Sequence, residues 1–416
     1  MRDKSRSLLP IIVISIGVFT IVFMDAFVAG MMDNMVRMTA NYQTGHLKVV
    51  SRAYWDDKEM QPVDLSLMGA ERLVSKLEQQ YPALNWIERI PFGGLIDLPT
   101  SEGEAQRQGP VAATAYNFLA PRAGQDEAQR LGLAKALTAG RLITQPREVI
   151  ISIDFAEQYH VKPGDEVTFF GSTMYGSMAF GNYRVAGVMR FGSAALDRGA
   201  LMMDIADARL LLDMDDAVSE VLGFYPNHHY DIAEADRLCA SFNADYVDDP
   251  DEYAPVMYSL ADQNAMREML SYIDIITFAM MIILLVSLSV VLWNTGIISG
   301  IRRYNEFGLR LAMGEEKGAI YRTLLLESLI IGLIGSIVGT VVGISFSYYF
   351  EVYGLDYSEI IKNSSMMVDP IIRAKVTWRL FYIGYIPGVF SMLIGSALAG
   401  RAIYKRQTAT LFKELD

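Results

Sequence analysis

Four stretches of the chain are almost wholly apolar, and each approaches or exceeds the roughly 18 to 20 residues that a helix needs to cross a bilayer. They are Leu8–Gly30, Tyr272–Ile298, Leu324–Phe350 and Leu380–Ile403. Only Asp25, near its far end, interrupts the first. That run is too long for a signal-peptide core, and no small-x-small cleavage site follows closely, so it reads as a retained span. Between the first and second stretches the pattern changes. Asp64–Tyr81 carries apolar residues at helical spacing with Asp64 placed as an N-cap, and "DIAEADRLCASF" (Asp231–Phe242) reads as a second helix. "EVIIS", "DEVTFFGS", "NYRVAGVMRF" and "GALMMD" are rich in β-formers and bounded by Gly, Pro and Asp, which predicts strands. "VKPGDEV" predicts a turn at Pro163-Gly164-Asp165. No internal repeat or low-complexity tract is visible.

Charge then orients the spans. The chain of 416 residues carries a net charge of −12. Residues 30 to 271 hold 35 acidic and 20 basic side chains, so the acidity is concentrated in the insert. Short segments rich in Lys and Arg stay cytoplasmic. Arg2, Lys4 and Arg6 precede the first span, Arg302, Arg303, Arg310, Lys317 and Arg322 lie between the second and third, and Arg401, Lys405, Arg406 and Lys413 follow the fourth. Both termini are therefore expected inside and the insert outside. Lys362, Arg373, Lys375 and Arg379 in the loop after the third span weaken the contrast slightly. The segmentation is 1–31 for the N-terminus and first span, 32–270 for an extracytoplasmic α/β domain, 271–299, 323–350 and 379–403 for the other spans, 300–322 for a cytoplasmic helix, 351–378 for an outside loop and 404–416 for a cytoplasmic tail.

Several chemistries find no support. An acidic total argues against a nucleic-acid partner, which needs a basic surface. Cys239 is the single cysteine, so no intramolecular disulfide or cysteine-based metal site is possible. The four histidines lie at 46, 160, 228 and 229, and the neighbours His228 and His229 point to opposite faces of an extended segment, so no metal site is expected. There is no G-x-x-x-x-G-K-[ST] phosphate loop. No Ser/His/Asp set or carboxylate pair can be singled out as catalytic, and no enzymatic activity is expected of the chain itself.

The most informative stretch is "RRYNEFGLRLAMGEEKGAIYRTLLLESLIIGLIG", Arg302–Gly335. Glu306 and Arg310 stand four apart in the favoured orientation on a helix, and Phe307 and Leu311 share its apolar face. Gly314 is a helix stop, after which Glu315 and Glu316 open the next helix where its dipole favours negative charge. A short surface helix joined by a tight turn to a span results. On physics alone a plain interfacial loop without a partner fits equally well. Further on, Gly335, Gly339 and Gly343 repeat every four residues, a spacing that lets helices approach closely in lipid. Glu327, near the mouth of that helix, is expected to pair with Arg322 or Arg302 or to serve coupling.

"RRYNEFGLRLAMGEEKGAIYRTLLLESLIIGLIGSIVGTVVG" resembles the hallmark of the FtsX/MacB/LolC superfamily of ABC transporter permeases. Arg303, Glu306, Phe307, Gly308, Arg310 and Gly314 match its R-x-x-E-[FI]-G-x-x-[RK]-A-x-G pattern, with Leu311-Ala312 shifting the small residue by one position. "EVIISIDFAEQYHVKPGDEVTF" and "TGHLKVVSRAYWD" are similar to the family's outside-domain segments. Against that pattern the start, "MRDKSRS", is short for the family's N-terminal amphipathic helix.

The resemblance implies an α-helical membrane protein with four transmembrane helices and a large mixed α/β domain of the MacB-like periplasmic core type, in the inner membrane. It implies a mechanotransmission role in which two permeases, copies or paralogues, pair with two copies of a separate ATPase that binds ATP and Mg. Arg303, Glu306, Phe307, Gly308, Arg310, Ala312, Met313 and Gly314 would then face that ATPase as a coupling helix. This chain would bind no cofactor. Its cargo would be a lipoprotein or another periplasmic molecule, with lipoprotein release of the LolC/LolE kind leading. MacB-like efflux through an adaptor, or FtsX-like signalling, are the alternatives.

Overall fold

The computed structural model describes residues 4–98, 107–121, 123–191, 194–226, 230–263, 265–302, 309–310, 313–356 and 371–405. Two units divide the chain: one joins residues 1–33, 268–356 and 371–416, the other holds 34–267 and 357–370.

The first unit is helical. Its long helices are α1 (Lys4–Thr39), α2 (Met266–Arg302), α3 (Lys317–Tyr353) and α4 (Tyr385–Lys405). Among the described residues, four helices are long and apolar enough to cross a membrane, and they fall on the four apolar stretches of the sequence. They pack through small residues, because dispersion rather than hydrophobic expulsion must hold helices together in lipid. Gly17 of α1 faces Leu288 of α2, and Gly395 of α4 faces Leu292 and Trp293. Gly384, just ahead of α4, and Gly388 within it close on Val18 of α1, with Thr340 and Ser336 of α3 beside them. Phe19 and Phe23 of α1 meet Phe346 of α3 edge-on at 5.5 and 5.2 Å between ring centres.

The second unit is built on strands. β1 (Leu47–Ser51), β2 (Leu67–Met68), β3 (Asn85–Leu98), β4 (Arg107–Tyr116), β5 (Leu137–Gly140) and β6 (Glu148–Ser152) come first, followed by β7 (Glu166–Ser172), β8 (Met178–Met189), β9 (Ala200–Asp204), β10 (Ala217–Val218), β11 (Glu220–Phe224) and β12 (Pro255–Ser259). Ten of them form one sheet in the order β12-β1-β11-β3-β4-β9-β6-β8-β5, with β7 pairing both β3 and β8. The double pairing of β7 closes β3, β4, β9, β6, β8 and β7 into a ring, from which β11, β1 and β12 extend as a wing. Closure removes open edges from those six strands. β6 and β9 are buried along their whole length. Val149, Ile151, Leu201 and Met203 enter one core cluster while Ile150 and Met202 enter another. Burial on both faces is why these strands read as continuous apolar runs rather than alternating ones.

The predicted strands and the turn are present. Gly164 sits at φ +103° and the Asp165 amide donates to the Lys162 carbonyl. The helix expected at Asp231 starts there, its carboxylate accepting from the Glu234 amide at 3.0 Å. The helix expected from Asp64 does not. Asp64 lies in a single 3₁₀ turn, Val63–Leu65, and the helix runs Ala70–Gln80 behind Gly69. Residues 67–68 are drawn into a strand pair with β10, which moves the helix start downstream. Its capping carboxylate comes from far along the chain: Asp216 Oδ1 accepts from the Glu71 amide.

Candidate functional site

The segment between α2 and α3 ends in a glycine-closed helical turn. The Glu315 amide donates to the Arg310 carbonyl at 3.1 Å across Gly314, which stands at φ +89°. This six-to-one bond with a left-handed residue inside it is a Schellman closure, and glycine is the residue that adopts it without Cβ strain. Met313 is 72% exposed beside it, and Arg310 is half-buried. Glu316 is the N-cap of α3, but its side chain makes no capping bond, so any help it gives comes from its charge at the helix start. Arg303, Glu306, Phe307, Gly308 and Ala312 lie outside the described residues. Of the eight residues singled out for coupling, Arg310, Met313 and Gly314 are therefore the ones the structure locates.

From this turn α3 enters the helical unit at once. The Tyr321 hydroxyl donates to the Ala397 carbonyl of α4 at 3.5 Å, and Gly400 lies against its ring. Glu327, two turns further, is half-buried. Gly335, Gly339 and Gly343 then face α1 in parallel register. A Cβ on each would fall within 3 Å of Ile14, Val18 and Val22 respectively, all fully buried. The Ser15 hydroxyl adds a bond to the Gly335 carbonyl at 3.1 Å. What starts at Gly314 is thus continuous with the α1–α3 seam.

The end of that seam away from the Gly314 turn holds contacts that sequence reasoning passed over. The Lys375 amide donates to the Ala26 carbonyl at 2.9 Å, and its ammonium pairs with Asp33. Arg379 Nε stands 3.7 Å from the buried carboxylate of Asp25. Gly30 approaches the backbone at Arg373 and Ala374 so closely that a side chain there would overlap it. The signal for this strap was two cations in a loop expected to lie outside, where they run against the charge trend.

In the sheet-built unit, the chain leads into α2 through a clasp. Arg267 donates to Asp236 through both Nη atoms, at 3.1 and 2.8 Å, and to Asp262 at 2.7 Å. Asp262 in turn accepts from the Ser259 amide and hydroxyl in a capping box. The Ser-x-x-Asp spacing was readable, but the Arg267 link was not, since Asp236 is brought to it by folding. The same unit bears an open cleft of about 870 Å³ whose rim carries exposed Met60, Met68 and Tyr175. Among the described residues no group of His, Cys, Asp and Glu could hold a metal ion. His228 and His229 lie outside them.

Two family models match the chain. The MacB-like periplasmic core domain matches residues 7–232, more than half of the chain, and the FtsX-like permease C-terminal domain matches 278–408. The protein therefore belongs to the FtsX/MacB/LolC superfamily. It is a permease of the ABC transporter class, a subunit type that is generally not itself catalytic and whose family works with ABC ATPases. No curated protein sequence matches it. Among solved structures, the periplasmic region of MacB from Actinobacillus actinomycetemcomitans is similar at 10% identity, covering 56% of this chain and 95% of that one with a TM-score of 0.36.

Proposed function

We propose that the chain is the membrane subunit of a mechanotransmitting ABC system, with a separate ATPase docking on residues 303–314 and the sheet-built domain outside the cytoplasm. The observation that carries this reading is the continuity from the Gly314 turn into α3 and its glycine seam on α1. A push delivered at Arg310 and Met313 acts on a helix packed too closely to slide independently of its neighbour. Both termini are cytoplasmic in this reading, by the basic segments at each end, and the membrane is the inner one. A second permease, a copy or a paralogue, completes the pair. ATP and Mg belong to the ATPase, since this chain has no phosphate loop.

For cargo we favour lipoprotein release. The four spans and the large insert after the first resemble the LolC/LolE branch, and exposed Met60, Met68 and Tyr175 around the cleft supply apolar surface outside the membrane. The test is affinity purification of the tagged chain in mild detergent. An ATPase together with triacylated lipoprotein is the expected yield. An ATPase with an adaptor and no lipoprotein would move the reading to efflux, an ATPase with a periplasmic hydrolase to signalling, and no ATPase would end it. In the assembled complex, the double substitution Glu306→Ala and Arg310→Ala is expected to cut cargo-stimulated turnover at least tenfold, the loss of about 1.4 kcal/mol of coupling. Unchanged turnover would remove these residues from the interface.

A further inference from the structure

Met60, Met68, Met174, Tyr175 and Tyr253 stand in the lining of the open cleft of the sheet-built unit. Met60, Met68 and Tyr175 are each more than 60% exposed. Methionine is unbranched and polarisable, so a surface rich in it re-packs around what it receives. Carboxylates crowd the segments that bring these residues to the cleft. Asp56, Asp57 and Glu59 lead into Met60, and Asp64 ends that run in the lining itself. Asp251 and Glu252 precede Tyr253. Asp213, Asp215 and Asp216 follow Leu212, whose carbonyl accepts from the Met174 amide at 2.8 Å. The Asp216 carbonyl accepts from the Gly69 amide, beside Met68, also at 2.8 Å.

These nine carboxylates are all exposed, and among the described residues none of them forms an ion pair. Other exposed carboxylates of the unit do pair, Asp236 with Arg267, Asp245 with Lys76 and Glu166 with Arg184. Lys58 is the one cation in residues 56–64, 212–216 and 251–253, and it lies 3.4 Å over the Trp55 ring. Like charges gathered round a groove build a field that the protein leaves uncancelled. They do not converge on an ion, since among the described residues no group of His, Cys, Asp and Glu could hold a metal. An anionic bilayer surface would be repelled by this rim. β7 reaches the cleft at Ser172 with β3 on one side and β8 on the other, so an extended peptide finds no open edge of it to join.

We propose that the cleft receives a basic amphipathic helix of a protein partner, its apolar face on the methionines and tyrosines and its Lys and Arg side chains along the acidic rim. A helix laid in a groove makes both contacts at once, because apolar residues at i, i+3, i+4 and i+7 leave its flanks free for charge. The rim selects and steers the partner, and the apolar floor holds it. The inference deepens the reading of this cleft as the surface offered to cargo and rests on it: the helix belongs to the protein part of that cargo.

The test is fluorescence anisotropy of a labelled peptide of Leu and Lys in amphipathic helical spacing. It is titrated with the full chain in nanodiscs of zwitterionic lipid, with empty nanodiscs as the blank. Saturable binding of one peptide per chain is expected, weakening as salt is raised. A scrambled peptide of the same composition, and a Leu and Glu peptide in the original spacing, are each expected to bind at least tenfold more weakly. Asp57→Asn, Glu59→Gln, Asp251→Asn and Glu252→Gln together are expected to weaken binding at least tenfold and to flatten its salt dependence, at an unchanged melting temperature. Met60→Ser with Tyr175→Ser is expected to weaken it several-fold. Binding no greater than to empty nanodiscs, wild-type affinity in the fourfold variant, or equal binding of the scrambled peptide would overturn the proposal. No ATPase or nucleotide takes part, so failure here leaves the ABC reading to the purification, and a purification without an ATPase leaves this binding as measured.

Discussion

A Cβ at Gly339 would sit 2.6 Å from the Ser15 carbonyl oxygen and 2.7 Å from the Val18 Cβ, closer than side chains pack. Gly339→Leu is therefore expected to destabilise the helical unit by about 1–3 kcal/mol through overpacking, seen as an earlier loss of helicity in a detergent melt. A melt at the wild-type midpoint would count against the seam. Cys239 offers a contrasting case: burial, followed by the nearby Asp262 and Asp236, pushes its thiol up to about 12. It should resist a thiol reagent at neutral pH in the folded protein and react once denatured, a difference that a labelling time course reads directly. Glu148 is held below the usual carboxylate range first by its hydrogen bonds to Arg141, against burial, with help from the Thr144 and Gln145 amides. A lowered folded value means stability that is present above the ordinary carboxylate pKa and lost as pH falls through the depressed one. Melting between about pH 6 and about pH 3 should show that loss, and Glu148→Gln should melt earlier at the upper end and decline less. The glycine ladder was legible because its four-residue spacing is itself the packing rule. Glu148 was not, since nothing in "RLITQPREV" marks the loop that folds it back onto Arg141 seven positions earlier.

At the scale of elements, periodicity served well where local chemistry and tertiary context agree. The four spans, the strands at 148–152, 166–172 and 200–204 and the helix from Asp231 all stand where pattern put them. Asp64 failed because the two-residue pairing of β2 with β10 claims the chain just before the helix, and Asp216 supplies the cap from across the fold. The clasp on Arg267 belongs to the same scale. Its ion pairs are more than one-third exposed, so Arg267→Ala should change global stability by no more than about 1 kcal/mol. Its effect should be local: faster hydrogen exchange at amides 262–270, where the capping box and the first turn of α2 meet. Exchange at the wild-type rate would show that the clasp orders nothing.

At the scale of the molecule, α2 differs from its neighbours in how little of it is covered. Only 11% of its apolar window is buried within the chain, against 39% for α1 and α3 and 50% for the fourth span. Such a face is stable only against lipid or another protein. The sequence by itself determined the spans, the acidic insert between them, the Gly314 stop and the family, because length, charge and spacing are one-dimensional properties that the membrane and the helix read directly. Only the tertiary structure decided that β7 closes six strands into a ring, that α1 is the partner of the glycine seam, and that Lys375 and Arg379 strap the end of it away from the Gly314 turn. Those arrangements join residues far apart in the chain, as Asp25 and Arg379 are at 354 positions. Their stability comes from contact between faces, and no local pattern records which faces will meet.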